Sequence, residues 1–193
     1  SGIPDYTSAK FDYTKNYTEK DLVKMASELE LEFIAGERFN YSNTGYVMLG
    51  VLISRVTGKP YWEFLRERIF DPAGMPTIRV NTESDIVKHR ARGYLPVDGG
   101  WKQAGYVAPM TNTTADGSML MNLQDMIAWN DVVANRRILS EQSWNLILSP
   151  MKLNSGRTYP YGFGWFLNEV GGHTVQNHGG NWQGFSTQFN RFT

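Results

Sequence analysis

Tyr41, Ser42 and Asn43 are three consecutive polar residues at the start of a stretch with helical hydrophobic spacing. A phenol with its usual pKa of about 10 is a weak base, but a neighbouring cation can lower that pKa into the range useful for proton transfer. An asparagine carboxamide can orient both a substrate carbonyl and a lysine. From these three residues alone a structural explanation is favoured: Ser42, Asn43 or Thr44 can cap the helix while Tyr41 packs at its entrance.

Several motifs follow one another in a characteristic order. The segment GERFNYSNTGYVMLGVLISRVTGKPYWEFLRERIFDPAGM (36–75) is followed by YGFGW (161–165) and then by HGGNWQGFS (178–186). This order closely resembles serine hydrolases related to class C β-lactamases and penicillin-binding proteins, which include D-alanyl-D-alanine carboxypeptidases, D-aminopeptidases and esterases. The opening SGIPDY (1–6) is similar to the family as well, so the resemblance runs from end to end of the chain.

The resemblance implies a role for each matching residue. Relatives of this machinery combine an SxxK nucleophile, an SDN element and a KTG strand. Tyr41 would carry the proton, and Asn43 would position substrate and lysine. His178 falls where the lysine of the KTG strand belongs, which argues against β-lactamase activity and fits esterase-like or peptidase-like members.

The residues after His178 would form the substrate strand. Gly179 and Gly180 would let an acyl group lie against the strand backbone, and the N–H of Asn181 would be one of two oxyanion donors. The resemblance also implies substrate contacts for Ser42 and Trp182. Trp101, in the long loop, is a second candidate for lining a pocket.

The SxxK motif itself has no convincing match. Ser149 and Lys152 have the required spacing, but they follow the Tyr41 element and Pro150 interrupts the pair. We therefore expect the nucleophile to lie upstream of Ser1. The chain would then be a fragment of the hydrolase, inactive by itself.

Hydrophobic spacing predicts five helices. The first follows an N-cap at Thr18, with Leu22, Met25, Ala26 and Leu29 on one face. The second follows Asn43, buries Met48, Leu49, Leu52, Ile53 and Val56, and ends near Gly58. The third runs from Pro60 to a stop at Asp71, Pro72 and Gly74, and two more span about 122–135 and about 140–148. Residues 76–117 are expected to be irregular and to line a site.

After Pro160 the spacing becomes that of strands. A hairpin turning at Gly171 and Gly172, a second turn at Asn181–Gly184 and a last strand into the C-terminus predict about three antiparallel strands. The fold class is therefore α+β, a partial β-lactamase/transpeptidase-like domain. Residues 1–193 would form a single partial domain, mainly helices and loops over 1–150 and strands over 160–193.

Composition limits the partners. Nineteen basic and nineteen acidic residues balance, which argues against nucleic acid or an anionic membrane surface held by bulk charge. Cysteine is absent and the three histidines lack metal-ligand spacing, so we expect neither a metal nor a cofactor. No apolar run is long enough to span a membrane. The resemblance implies a periplasmic or extracellular location.

Three functional interpretations remain. The first is a serine hydrolase acting on an amide or ester through an acyl-enzyme, with a small-molecule or peptide substrate. The second is an inactive substrate-binding or scaffold module that kept the groove. The third is a self-associating truncated fragment without activity, because missing segments would leave a sheet edge and apolar helix faces exposed.

Overall fold

The computed structural model describes residues 1–8, 11–82, 85–117 and 119–193. Its described backbone groups into two compact units. One comprises Ser1–Asp85 and Val107–Ile138, and the other comprises Ile86–Tyr106 and Leu139–Thr193. The expectation of a single partial domain stays a prediction.

Helices and antiparallel strands alternate along the chain. The helices are α1 (Glu19–Ser27), α2 (Asn43–Thr57), α3 (Tyr61–Leu65), α4 (Asp71–Ala73), α5 (Leu123–Ala134) and α6 (Glu141–Ile147), with a π-helical segment at Arg66–Phe70 and 3-10 turns at Tyr6–Ser8 and Pro109–Asn112. The strands are β1 (Arg79–Val80), β2 (Tyr94–Val97), β3 (Gly100–Gln103), β4 (Met119–Leu120), β5 (Met151–Lys152), β6 (Thr158–Tyr159), β7 (Phe166–Val170), β8 (His173–Trp182) and β9 (Phe185–Phe192). The predicted α+β class is confirmed.

The first unit is built on the contact between α1 and α2. Thr18 starts α1 with a capping box: its hydroxyl accepts from the Asp21 N–H at 3.1 Å, and the Asp21 carboxylate accepts from the Thr18 N–H at 2.9 Å. Leu22 of α1 and Val47 of α2 are fully buried in one cluster with Tyr6 and Phe11. The predicted cap and the inward position of Leu22 are confirmed.

The buried face of α2 differs from the prediction. Leu49, Leu52 and Val56 are exposed by 52%, 55% and 77%, whereas the buried residues are Thr44, Val47 and Gly50. Small side chains let neighbouring segments approach closely, so Thr44 and Gly50 share the packed face of this helix with the hydrophobic Val47.

The segment 76–117 is more regular than expected. It contains β1, the antiparallel β2–β3 hairpin and the 3-10 turn at Pro109–Asn112. The hairpin turns at Asp98 and Gly99, and Gly99 has a φ of 79°. An Asp-Gly pair between short runs of strand-forming residues is a hairpin signal. The hairpin could therefore have been predicted from the sequence.

The second unit contains the predicted three-stranded sheet. Its order is β7-β8-β9, antiparallel throughout, and Gly171 and Gly172 form the first turn as predicted. The second turn is shorter than predicted, because it consists of Gln183 and Gly184 alone. Asn181 and Trp182 therefore belong to strand β8.

A matched pair of glycines on α2 tests the small-residue packing. A Cβ added at Gly50 would lie 2.4 Å from the Ala115 Cβ, whereas one added at Gly45 meets only the Ser42 Oγ at 3.9 Å. We expect Gly50→Ala to lower the free energy of unfolding by about 1–3 kcal/mol. Gly45→Ala should leave it unchanged or raise it by up to about 1 kcal/mol. Urea unfolding of both variants measures the difference, and equal midpoints would contradict this packing.

Candidate active site

The start of α2 is fixed by two side chains. Ser42 is the N-cap residue, with extended backbone, and its Oγ accepts from the Gly45 N–H at 3.3 Å. The carboxylate oxygen Oδ2 of Asp5 accepts both the backbone N–H of Asn43 at 2.6 Å and its side-chain Nδ2 at 3.0 Å. The capping role of Ser42 is confirmed, and its substrate contact stays a prediction.

The loop that carries Asp5 is itself held in place. The other carboxylate oxygen of Asp5 accepts from the N–H and hydroxyl of Thr7 at 2.8 and 2.7 Å, and the Tyr6 N–H donates to the Thr44 Oγ1 at 2.8 Å. Sequence reasoning missed Asp5. Its sequence position gives only a local turn signal, while its partner lies 38 residues further along the chain.

Tyr41 stands in acidic surroundings. Its side chain is partly exposed, and its pKa is raised, first by partial burial and then by Tyr46 and the carboxylates of Asp116 and Asp5. Asp116 accepts from the Tyr6 hydroxyl at 2.7 Å and from the Thr114 hydroxyl at 2.6 Å, which holds its charge in this region. The phenol is therefore tuned away from the pKa that a general base needs.

The candidate oxyanion donor lies on an open part of strand β8. Trp182 and Phe185 flank a two-residue turn, so they form a hydrogen-bonded pair between β8 and β9. The residue before Trp182, Asn181, therefore directs its N–H away from β9, and so does every second residue before it on β8. Strand β7 pairs with β8 only as far as Asn177. Over the described residues, Asn181 therefore directs its N–H to an edge that no strand covers.

His178 is oriented from both ring nitrogens. Its Nδ1 lies 2.8 Å from the carbonyl oxygen of Gly179, and its Nε2 lies 3.2 Å from the hydroxyl of Tyr161, which is buried. Because a carbonyl only accepts, Nδ1 carries the hydrogen, and in the neutral ring Nε2 accepts from the tyrosine. The ring of Phe166 lies 5.6 Å from the imidazole. Sequence reasoning missed Tyr161 as the partner of His178, although YGFGW was recognised as a motif.

Packing gives little reason for glycine at 179 and 180. A Cβ at Gly180 would lie 3.4 Å from the Thr187 Oγ1, and one at Gly179 would lie 2.5 Å from the Gln188 Oε1, the end of a flexible side chain. A shift of Gln188 would largely accommodate the added carbon, although the Thr187 carbonyl is 3.3 Å away. The described packing thus gives no reason for glycine at 180 and only a partial one at 179.

The remaining candidates are widely placed. Trp101 lies on strand β3 with 72% of its surface exposed, whereas Trp182 is half-buried at the end of β8. Ser149 follows α6 and Lys152 belongs to β5, so the two do not share a helix face. The resemblance also assigns Asp116, Gly117 and Ser118 to a structural turn without a catalytic role, and Ser118 lies outside the described residues.

The predicted residues form two groups. Tyr41, Ser42 and Asn43 lie in the first unit, and His178–Trp182 lie together on β8 in the second. Among the residues that the structure describes, no group of three or more His, Cys, Asp or Glu side chains could hold a metal ion. Within the same residues no helix is long and apolar enough to cross a membrane.

Polar residues at a helix start and a glycine-containing strand with an outward N–H are the two features that the sequence resemblance led us to expect. The chain belongs to the β-lactamase family, whose model matches residues 1–191. It is 32% identical over 211 residues to penicillin-binding protein 4* of Bacillus subtilis (strain 168), an alignment covering 100% of this chain and 46% of that protein.

Two further relatives are hydrolases by name. The D-aminopeptidase of Brucella anthropi is 29% identical over 163 residues, which cover 81% of this chain and 29% of that protein. The crystal structure of D-amino acid amidase from Ochrobactrum anthropi SV3, complexed with L-phenylalanine amide, superposes with a TM-score of 0.77 at 29% identity. That match covers 94% of this chain and 54% of the amidase. The chain thus spans about half the length of these relatives or less.

The acidic surroundings of Tyr41 can be measured by titration. We expect the NMR-detected pKa of Tyr41, assigned with Tyr41→Phe, to lie above its ordinary value of about 10. Asp116→Asn should lower that pKa, since it removes a negative charge, whereas Asp71→Asn, on α4, should not. A Tyr41 pKa below 10 in this chain would contradict the description of the site.

Proposed function

We propose that this chain is part of a serine hydrolase that cleaves an amide or ester through an acyl-enzyme. The serine and lysine of its SxxK motif would come from a segment outside these 193 residues. The observation that carries the proposal is the open edge of β8, where the Asn181 N–H points outward beside Gly179 and Gly180, and packing leaves Gly180 unexplained. Such an N–H can bind the oxyanion of a tetrahedral intermediate.

The lysine of the SxxK motif would have an electrostatic role at Tyr41. A cation near Tyr41 would offset the negative charges of Asp116 and Asp5 and lower the tyrosine pKa toward the working range. The phenolate could then take the proton of the attacking serine and later return a proton to the leaving group. Asn43, held through its Nδ2 by Asp5, keeps its carbonyl oxygen Oδ1 for the lysine or for a substrate N–H.

The substrate strand completes the mechanism. An acyl group lying along Gly179 and Gly180 would place its carbonyl oxygen at the Asn181 N–H, with Trp182 as a further contact. His178, where a lysine would strengthen the attraction for a carboxylate, offers an imidazole ring held by Tyr161. The activities named for the relatives make D-amino acid amides and peptides the first substrates to test.

The location of the nucleophile can be tested by covalent labelling. We expect no stoichiometric adduct when this chain is treated with excess fluorophosphonate or penicillin, because the proposal places the attacking serine outside it. A longer protein that includes the upstream segment should gain one fluorophosphonate, which intact mass measures. Tyr41→Phe in the longer protein should slow labelling by about 10²–10⁴-fold.

Two outcomes would contradict the proposal. An adduct on this chain, mapped to Ser42 or Ser149, would place the nucleophile within these residues. Failure of a folded longer protein to be labelled would remove the hydrolase mechanism and favour an inactive binding module. Ser155→Ala, in the exposed turn between β5 and β6, is a matched control that should label at the unchanged rate.

We also propose that the isolated chain associates with a second copy of itself. Leu49, Leu52 and Val56 expose one apolar face of α2, and β9 is an edge strand of its sheet over the described residues. Uncovered apolar faces and sheet edges favour association.

Light scattering at micromolar concentration tests this association. We expect a mass above that of one chain, and a lower mass for the pair Leu52→Lys and Val56→Lys if the helix face contributes. Ile86→Lys changes a single exposed residue in the other unit and serves as the control. A monomer at this concentration would contradict self-association.

A further inference from the structure

The Asp5 carboxylate accepts four hydrogen bonds at the junction between the N-terminal loop and α2. One oxygen, Oδ2, accepts from the backbone N–H of Asn43 at 2.6 Å and from its side-chain Nδ2 at 3.0 Å. The other oxygen accepts from the N–H and the hydroxyl of Thr7 at 2.8 and 2.7 Å. An ionised carboxylate only accepts and offers about four such positions, so it suits a site at which all the partners are donors.

This carboxylate distinguishes the two orientations of the Asn43 carboxamide. The oxygen and the NH2 group of an asparagine are nearly equal in size, so shape alone does not separate one orientation from its flipped form. With Nδ2 toward Asp5, the two groups form a charge-assisted hydrogen bond. With Oδ1 toward Asp5, two acceptors would face each other. The negative charge of Asp5 therefore turns Oδ1 away from its own carboxylate.

The segment that carries Asp5 is anchored independently of Asn43. The next residue, Tyr6, is buried, and its N–H donates to the Thr44 Oγ1 at 2.8 Å. The hydroxyl of Tyr6 donates to the Asp116 carboxylate at 2.7 Å. Because these bonds fix the loop against α2, the carboxylate of Asp5 can impose an orientation on Asn43.

The orientation of Asn43 decides which groups its side chain can bind. An amide oxygen accepts a hydrogen bond from an ammonium group or from an N–H, whereas an NH2 group only donates. In the flipped orientation the NH2 group would face the ammonium of an SxxK lysine, and two donors cannot bond to each other. A lysine can thus be held by Asn43 only when Oδ1 is the atom turned toward it.

We propose that Asp5 is a positioning residue for the hydrolase reaction, acting through the Asn43 carboxamide. It keeps Oδ1 available to accept from the SxxK lysine or from a substrate N–H. This role rests on the proposed function and differs from helix capping. A cap requires only the bond to the backbone N–H of Asn43, whereas the bond to Nδ2 satisfies no group of the helix backbone.

Fluorophosphonate labelling of the longer protein tests this role. Asp5→Asn keeps the size of the side chain but can present either an oxygen or an NH2 group to Asn43, so both orientations become available. We expect this variant to label about 10–10²-fold more slowly than the unaltered protein, because the carboxamide is no longer held in one orientation.

An effect of charge alone would have the opposite sign. Burial, then Tyr46, Asp116 and Asp5 raise the pKa of Tyr41. If Asp5 acted on Tyr41 only through its charge, Asp5→Asn would lower that pKa toward the working range and would not slow labelling. A slower rate therefore reports the positioning of Asn43.

Thr44→Val is the matched control for damage to the same junction. It removes the acceptor of the buried Tyr6 N–H and leaves both bonds between Asp5 and Asn43 in place. We expect it to lower the urea midpoint at least as much as Asp5→Asn, because it leaves a buried donor unsatisfied. It should nevertheless label at close to the unaltered rate.

NMR of this chain tests the orientation without reference to catalysis. The side-chain amide of Asn43, assigned with Asn43→Ala, should give one pair of proton signals, and Asp5→Asn should shift or double them. Unchanged Asn43 signals in Asp5→Asn, a labelling rate that this variant leaves unchanged or raises, or equal slowing by Thr44→Val would each overturn the inference. A folded longer protein that takes no label would instead contradict the hydrolase proposal itself.

Discussion

The carboxylate of Asp5 organises the first half of the candidate site. One of its oxygens accepts both the backbone N–H and the side-chain Nδ2 of Asn43, which begins α2. An anion at this position also stabilises the helix through its terminal dipole. Asp5 thereby joins the N-terminal loop to the helix and fixes the direction of the Asn43 carboxamide, while Ser42 satisfies the next free N–H. Tyr41 precedes α2 by two residues, so its position depends on the bonds from Asp5 and Ser42.

The carboxylates that hold these loops also place negative charge near Tyr41. Asp5 and Asp116 are needed to hold the loops, yet both raise the pKa of Tyr41. A catalytic tyrosine in these surroundings requires a cation brought close to it, and the lysine of an SxxK motif would meet that requirement. Two independent observations thus support the proposal that the SxxK serine and lysine come from outside these residues. One is the negative charge around Tyr41, and the other is the absence of a convincing SxxK match in the sequence.

Much of the fold could be predicted from the sequence, because its signals are local. The Thr18 cap, the beginning and end of α2 and the Gly171 turn depend on residues within one helical turn or one hairpin. The buried face of α2 could not be predicted, since Gly50 packs through the absence of a side chain. Asp5 and Tyr161 were missed for a related reason. Asp5 bonds to Asn43 and Tyr161 to His178, partners that are distant in sequence, and hydrophobic periodicity does not indicate such contacts.

The central claim is that strand β8 supplies an oxyanion donor to a serine from elsewhere in the protein. A crystal structure of the longer protein after fluorophosphonate labelling tests it most directly. We predict a phosphonyl oxygen at about 2.7–3.1 Å from the backbone nitrogen of Asn181. A phosphonyl oxygen bound by other groups, with the Asn181 N–H turned to solvent, would contradict the account.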